Sequence, residues 1–374
     1  MTPNISTTLT VNFSWLVILA VGIFGCTPKG KTGDTAGAQN VNEVVPTELK
    51  VFSWADYLPP AVIEEFEKEN SLKVSIDYFS SNEELLTKVQ SSVESASRGY
   101  DLIIPSDYMA SAMSKMGLLT EVPHDEVPSL KEFSKDFLNP SYNPGLKFVV
   151  PYAWGTTALA VNTKLLPSFD SSQLSWAQFF EAKSPLKGKT SWLDDMREVA
   201  HAALLANGKK WSSATEDDLK LAFDYLKTAK KNFKIFTPES RPVMEGGDCA
   251  VCMGYSGDIL QIARDKKFLK YVLPKEGATI WADNLAVPKN AAAPKMAFRL
   301  INKLISAQGA KTFVETLLYA SPNQKAFDLL SPELKINKAI FPSPEDFSKL
   351  TYLMDRPELM GKLESLWTEL KATQ

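Results

Sequence analysis

The run LKVFSWADYLPPAVIEEFEKENSLKVSIDYFSSNEELLTKVQSSVESASRGYDLIIP, residues 49–105, decides the fold class. Leu49 to Ser53 reads as a short strand. Pro59-Pro60 then predicts a helix start, because a first-turn proline has no intrahelical N–H to lose. Val62, Ile63 and Phe66 recur at helical spacing, and Asn70 is the expected stop. Leu72, Val74, Ile76 and Tyr78 alternate as a strand does. Ser81-Asn82-Glu83-Glu84 has the form of a capping box ahead of Leu85, Leu86 and Val89. Tyr100 to Ile104 closes the unit as a brief strand before Pro105. Strands alternating with helices in this way predict a mainly parallel sheet with helices on both faces.

The pattern returns downstream. Phe148 to Val161 reads as strand-like runs interrupted at Trp154-Gly155. Lys189 to Leu193 leads into a helix from about Asp194 to Ala206, stopped by Gly208. Ser213 to Lys227 and Lys295 to Ser306 are amphipathic helices, and Ala250 to Tyr255 and Tyr271 to Pro274 are short strands. A chain of 374 residues exceeds one simple core. Two α/β lobes fit both the length and the repeated layout. In such sheets a ligand sits beyond the carboxyl ends of the strands. Trp54, Ser106, Asp195, Tyr255 and Trp281 are all expected at or just past a strand end.

Within Thr279-Ile-Trp-Ala-Asp-Asn-Leu-Ala-Val-Pro288, Trp281 and Asp283 stand two apart, so in an extended chain they face one side. A ring face beside a carboxylate is what an organic ammonium needs once it leaves water. Ser53-Trp-Ala-Asp-Tyr57 offers the same groups upstream. Asp195 and Glu198 share one face at a helix start, where acids also suit the helix dipole. Glu198 with His201 forms a Glu-x-x-His pair, but the further carboxylates of a di-iron site are not in view. Cys249 and Cys252 have metal or redox spacing without a second pair, and the chain holds two His, so no four-ligand zinc set is visible. In a strand from Cys249 to Tyr255 the two thiols are expected on opposite faces, packed and inert.

Apolar content of 44%, charged content of 23% and a net charge of −3 suit a globular protein without an electrostatic footprint for nucleic acid. Phe13 to Phe24 is apolar but short, as in the core of a signal peptide, which sets residues 1–25 as a leader. Ile23-Phe-Gly-Cys26 resembles a bacterial lipoprotein cleavage box, with Cys26 the lipidated residue. Residues 26–47 then have the composition of a flexible tether. A lipid and a tether would hold the folded part at a membrane surface.

Ser53-Trp-Ala-Asp-Tyr-Leu-Pro-Pro60, Asp101-Leu-Ile-Ile-Pro-Ser-Asp-Tyr108, Pro151-Tyr-Ala-Trp-Gly-Thr-Thr-Ala158, Asp194-Asp-Met-Arg-Glu-Val199 and Pro274-Lys-Glu-Gly277 with Trp281-Ala-Asp283 resemble segments that recur in this order in bacterial spermidine/putrescine-binding proteins. Those are the extracytoplasmic receptors of polyamine ABC importers. The likeness runs from about Leu49 to at least Phe341. It implies the two-lobed periplasmic-binding-protein fold, with a mainly parallel sheet in each lobe and a cleft between them. The first lobe would comprise 48–157 and 284–328, the second 158–283 and 329–374. It implies that Trp54, Tyr57, Tyr255 and Tyr319 wall a polyamine and that Ser106 and Tyr108 meet an amine end. Asp195 and Glu198 would hold one ammonium, while Trp281 stacks on the chain and Asp283 grips an inner amine. Tyr255 stands where such binders often carry Trp, and Leu353 where others offer a Gln amide. The implied partners are a polyamine and a membrane permease, with the receptor a monomer that needs no cofactor or metal. An anion or metal guest on the same fold, a sensor for a signalling partner, and a glycosidase using Asp195 and Glu198 are the alternatives. The glycosidase needs its two carboxyls on opposite sides of a sugar, which one helix turn does not provide.

Overall fold

The computed structural model describes residues 46–373. The expected leader, Cys26 and all but the last two tether residues lie outside the described residues. Ten strands run β1 Glu48–Ser53, β2 Lys73–Tyr78, β3 Leu102–Ile103, β4 Val149–Asn162, β5 Thr190–Leu193, β6 Ile235–Thr237, β7 Val251–Tyr255, β8 Leu269–Val272, β9 Ala278–Ala286 and β10 Leu350–Tyr352. They form one sheet in the order β2-β1-β3-β9-β4-β7-β5-β6, with β10 beside β9 and β8 beside β4. At one end β1 pairs in parallel with β2 and β3, and at the other β5 pairs in parallel with β6 and β7. Between them β4 and β9 run antiparallel to each other, and β4 is also antiparallel to β7 and β8.

Two cores sit on either side of this central pair. Val149 to Trp154 of β4 and Ile280 to Ala286 of β9 pack with Leu49, Phe52, Phe66, Phe298 and Phe313. Ala158, Leu159 and Val161 of β4 and Ala278 of β9 pack with Trp176, Trp192, Phe223 and Leu363. The changeover falls on the polar Thr156, Thr157 and Thr279, all buried. β4 and β9 are thus the two strands that pass from one lobe to the other. Ile340 joins the first core and Leu353 the second.

The local signals explain most elements. Pro60–Asn70 is a helix with Val62, Ile63 and Phe66 buried, and Ser71 ends it in the left-handed region at φ 52°. Asn82–Glu94 follows Ser81, whose hydroxyl accepts the Glu84 N–H at 3.2 Å. Glu84 reaches back to the Ser80 N–H instead of Ser81, so half of the expected box forms. Met196–Ala206 begins at Asp195, whose carboxylate accepts the N–H groups of Arg197 and Glu198 at 2.9 and 3.0 Å.

Two expectations are corrected. β4 is not interrupted at Trp154-Gly155; it runs unbroken, and its irregularity is a register shift between Pro151 and Ala153. Pro151 has no N–H for the ladder, so the bulge falls there, while Gly155 stays in register opposite Trp281. Cys249 and Cys252 do not face opposite ways. β7 starts only at Val251, so the pleat does not govern Cys249, and both cysteines pack into one small cluster with Met244, Ile259 and Ile262. Both thiols are buried and free.

Candidate functional site

Asp283 lies in β9 and is 7% exposed. The Tyr57 hydroxyl donates to its Oδ2 at 2.6 Å and the Ser106 hydroxyl to its Oδ1 at 2.7 Å. Burial pushes its acid strength down, raising the pKa to about 6, against the pull of those two donors. The Ser106 N–H donates to Asn82 Oδ1 at 3.1 Å and Asn82 Nδ2 donates to the Ser106 hydroxyl at 3.2 Å, which fixes the rotor. The loop after β1 supplies Tyr57, and the loop after β3 supplies Ser106.

Trp281 is on the same face as Asp283, as the two-residue spacing predicts. It differs from expectation in one respect. It does not end a strand but sits inside β9, because that strand crosses between the lobes and carries the site along its middle. Its ring meets Tyr319 edge-on at 5.2 Å and Tyr255 edge-on at 6.0 Å. Tyr319 in turn lies 5.9 Å from Tyr57, so an aromatic wall runs continuously from Tyr255 to the Asp283 carboxylate. A glycine makes room for the indole. A Cβ on Gly155 would stand 2.6 Å from the Trp281 ring. Trp54 follows β1 and rests on Phe79 at 4.3 Å in the first core, its indole N–H buried without a partner.

The second lobe brings Asp195 and Glu198. Glu198 is buried; Thr157 donates to its Oε1 at 2.9 Å, and Oε2 makes no hydrogen bond. Burial, then the neighbouring Asp195 charge, raises its pKa to about 8. Asp195 is also raised by burial, opposed by the two N–H groups it caps. Asp195 caps the helix, and its charge lies near enough to Tyr255 and Tyr108 to help raise their pKa values. The Arg197 guanidinium stacks on the Tyr108 ring at 3.9 Å, and the Tyr108 hydroxyl points to Glu83 at 3.4 Å.

Three participants carried no obvious sequence signal. Asp107 is buried beside Asp283, takes the N–H groups of Tyr108 and Ala282 at 2.6 and 3.2 Å, and is pushed up to about 7 by burial. Asp258 accepts the Tyr319 hydroxyl at 2.7 Å. Gly155 seats the indole. Asp258 follows the end of β7 by three residues. His201 hydrogen-bonds Thr279 at 2.9 Å and is held neutral by burial, its pKa lowered to about 3. Among the described residues no cluster of His, Cys, Asp and Glu is arranged to hold a metal ion.

This cluster thus concentrates buried carboxylates, each with few compensating cations, against aromatic rings. That arrangement suits a guest bringing several positive charges on an apolar backbone.

Residues 61–342 match the model of a family described as bacterial extracellular solute-binding protein. Over 326 residues the chain is 31% identical to the spermidine/putrescine-binding periplasmic protein of Salmonella typhimurium, covering 87% of this chain and 91% of that one. It is similar in structure to a putative spermidine/putrescine ABC transporter from Listeria monocytogenes, with a TM-score of 0.80 and 28% identity over 88% of this chain and 100% of that one. The spermidine/putrescine transporter substrate-binding protein PotD of Streptococcus pneumoniae gives a TM-score of 0.76 at 28% identity, over 87% of this chain and 99% of that one.

Proposed function

The chain belongs to the bacterial extracellular solute-binding proteins, and from that premise we propose that it is the extracytoplasmic receptor of a polyamine importer. Its guest on this reading is spermidine or putrescine. The observation that carries the reading is Asp283, nearly buried, held by two hydroxyl donors and flanked on the same strand face by Trp281.

A polyamine is a rod of methylenes with ammonium groups at intervals. Asp283 takes one ammonium, with Tyr57 and Ser106 holding its oxygens in place. Glu198, whose Oε2 makes no hydrogen bond, and Asp195 take another. Each buried methylene gains about 0.8 kcal/mol against an apolar wall, here Trp281, Tyr255 and Tyr319 with Trp54 and Tyr108 as further lining. A well-placed ammonium over a ring adds roughly 0.5–2 kcal/mol. Nothing in this scheme activates a reacting atom, so we read binding without catalysis. The lobes, meeting where β4 and β9 change cores at Thr156, Thr157 and Thr279, close on the guest and present it as a monomer to an ABC permease. We further propose that Cys26 is lipidated and that 26–47 tether the receptor to its membrane.

Titration calorimetry tests the guest: putrescine, spermidine and spermine are offered alongside sulfate, phosphate and iron. Heat from a linear amine alone supports the reading. Heat from the anions or the metal alone, with none from any amine, refutes it. Polyamine uptake in a strain lacking the chain distinguishes an importer receptor from a sensor.

A further inference from the structure

A junction behind the Tyr319 side of the aromatic wall ties the lobes together. The helix Ser256–Ala263 is rooted beside the second lobe through Ile259 and Ile262. The helix Ala307–Leu317 belongs to the first core through Phe313, Val314 and Leu317. The last carbonyls of a helix lack intrahelical donors and carry the negative end of its dipole. Here the donors come from the other lobe. Arg264 donates to the carbonyls of Glu315 and Thr316, the latter at 3.3 Å, and Gln261 Nε2 donates to the Leu317 carbonyl at 2.9 Å. Arg241 braces the group by donating to Gln261 Oε1 at 3.0 Å and to Asp258 at 3.5 Å.

The chain then turns through Leu318, at φ 59°, and lays Tyr319 against the helix Ser256–Ala263. Its hydroxyl donates to Asp258 at 2.7 Å, and its ring lies so close to Gly257 that a Cβ there would stand 2.6 Å from three ring carbons. The same ring meets Trp281 and Tyr57 on its other sides.

We propose that this junction is the closure latch of the receptor, and that Asp258 and Gly257 are positioning residues that seat Tyr319 in the wall when the lobes shut. Gly257, Gln261 and Arg264 act without touching the guest. A contact made only in the closed state shifts the open–closed equilibrium, so it strengthens every guest by one factor and discriminates among none. The latch concerns lobe motion and stands apart from the identity of the guest proposed above.

The test uses spin labels at the exposed Met116 and Leu221, one in each lobe, and calorimetry with putrescine and spermidine. Arg264→Ala combined with Gln261→Ala should raise the long-distance population in the empty protein. It should also weaken both amines three- to thirtyfold, with their ratio held within twofold. Arg264→Lys should restore most of the loss. Gly257→Ala should weaken both amines at least tenfold without lowering the melting temperature of the empty protein, because the methyl meets Tyr319 only when the lobes are shut and parting them relieves the contact. Unchanged distances, a melting temperature that falls with affinity, or a selective loss of one amine overturns the latch. A wild-type chain that ignores both amines overturns the guest instead, and the distance distributions still decide the latch.

Discussion

At Asp283 two demands meet in one side chain. Burial disfavours the charge, while the Tyr57 and Ser106 hydroxyls keep the carboxylate oriented. Asp283→Ala is expected to cost on the order of 3–5 kcal/mol of amine binding by calorimetry, because it strands a buried ammonium. Asp283→Asn keeps the shape and loses the charge. It should bind almost as poorly, yet melt no lower than wild type at pH 8 when empty. Trp281→Ala should cost roughly 1–2 kcal/mol through lost ring contact. The Trp281–Asp283 pairing was legible because alternation in a strand is local. Asp107 and Asp258 were not, because their partners Ala282 and Tyr319 are distant in sequence and nothing in their own neighbourhood announces them.

Among the elements, the helix Met196–Ala206 and the crossing strands carry the most. Asp195 is both its N-cap and a candidate anion for the guest. Asp195→Ala should lower stability by about 0.5–2 kcal/mol in a denaturant melt, the value of a lost cap. Asp195→Asn keeps the cap, so it should leave the melt nearly unchanged and still weaken amine binding. Equal effects of the two on binding and stability would assign Asp195 to the helix alone. In β4, Gly155→Ala thrusts a methyl against the Trp281 ring and should destabilise by roughly 1–3 kcal/mol as an overpacked contact. The helices were read well from capping and periodicity. Pro151 and Gly155 are local breakers and predict an interruption in β4, whereas its pairing with β9 is a long-range fact.

For the molecule as a whole, the cleft acids set a pH dependence. Asp283, Asp107 and Glu198 have pKa values raised to about 6, 7 and 8, chiefly by burial. A raised acid favours folding while it is protonated. That contribution is complete below the ordinary carboxyl range near pH 4 and is lost as pH climbs through about 6–8. The empty receptor should therefore melt lower at pH 8 than at pH 5. A bound polyamine needs the ionised acids, so its affinity should rise over the same window, and the melting shift it causes should be larger at pH 8. Calorimetry at pH 6.5 in buffers of different ionisation heat should register proton release on binding. A pH-independent affinity would place the ammonium groups elsewhere.

Sequence alone determined the α/β class, the run of strand and helix in 49–105, the capping residues, and the shared face of Trp281 and Asp283. Each of these depends on dihedral preferences and spacings within a few residues. The tertiary structure decided what local rules do not reach: that β4 and β9 cross between two cores, that Gly155 and Gly257 are seats for rings, and that Asp107 lies against Asp283. Those depend on which distant surfaces are brought together when apolar area leaves water, a choice made by the whole chain.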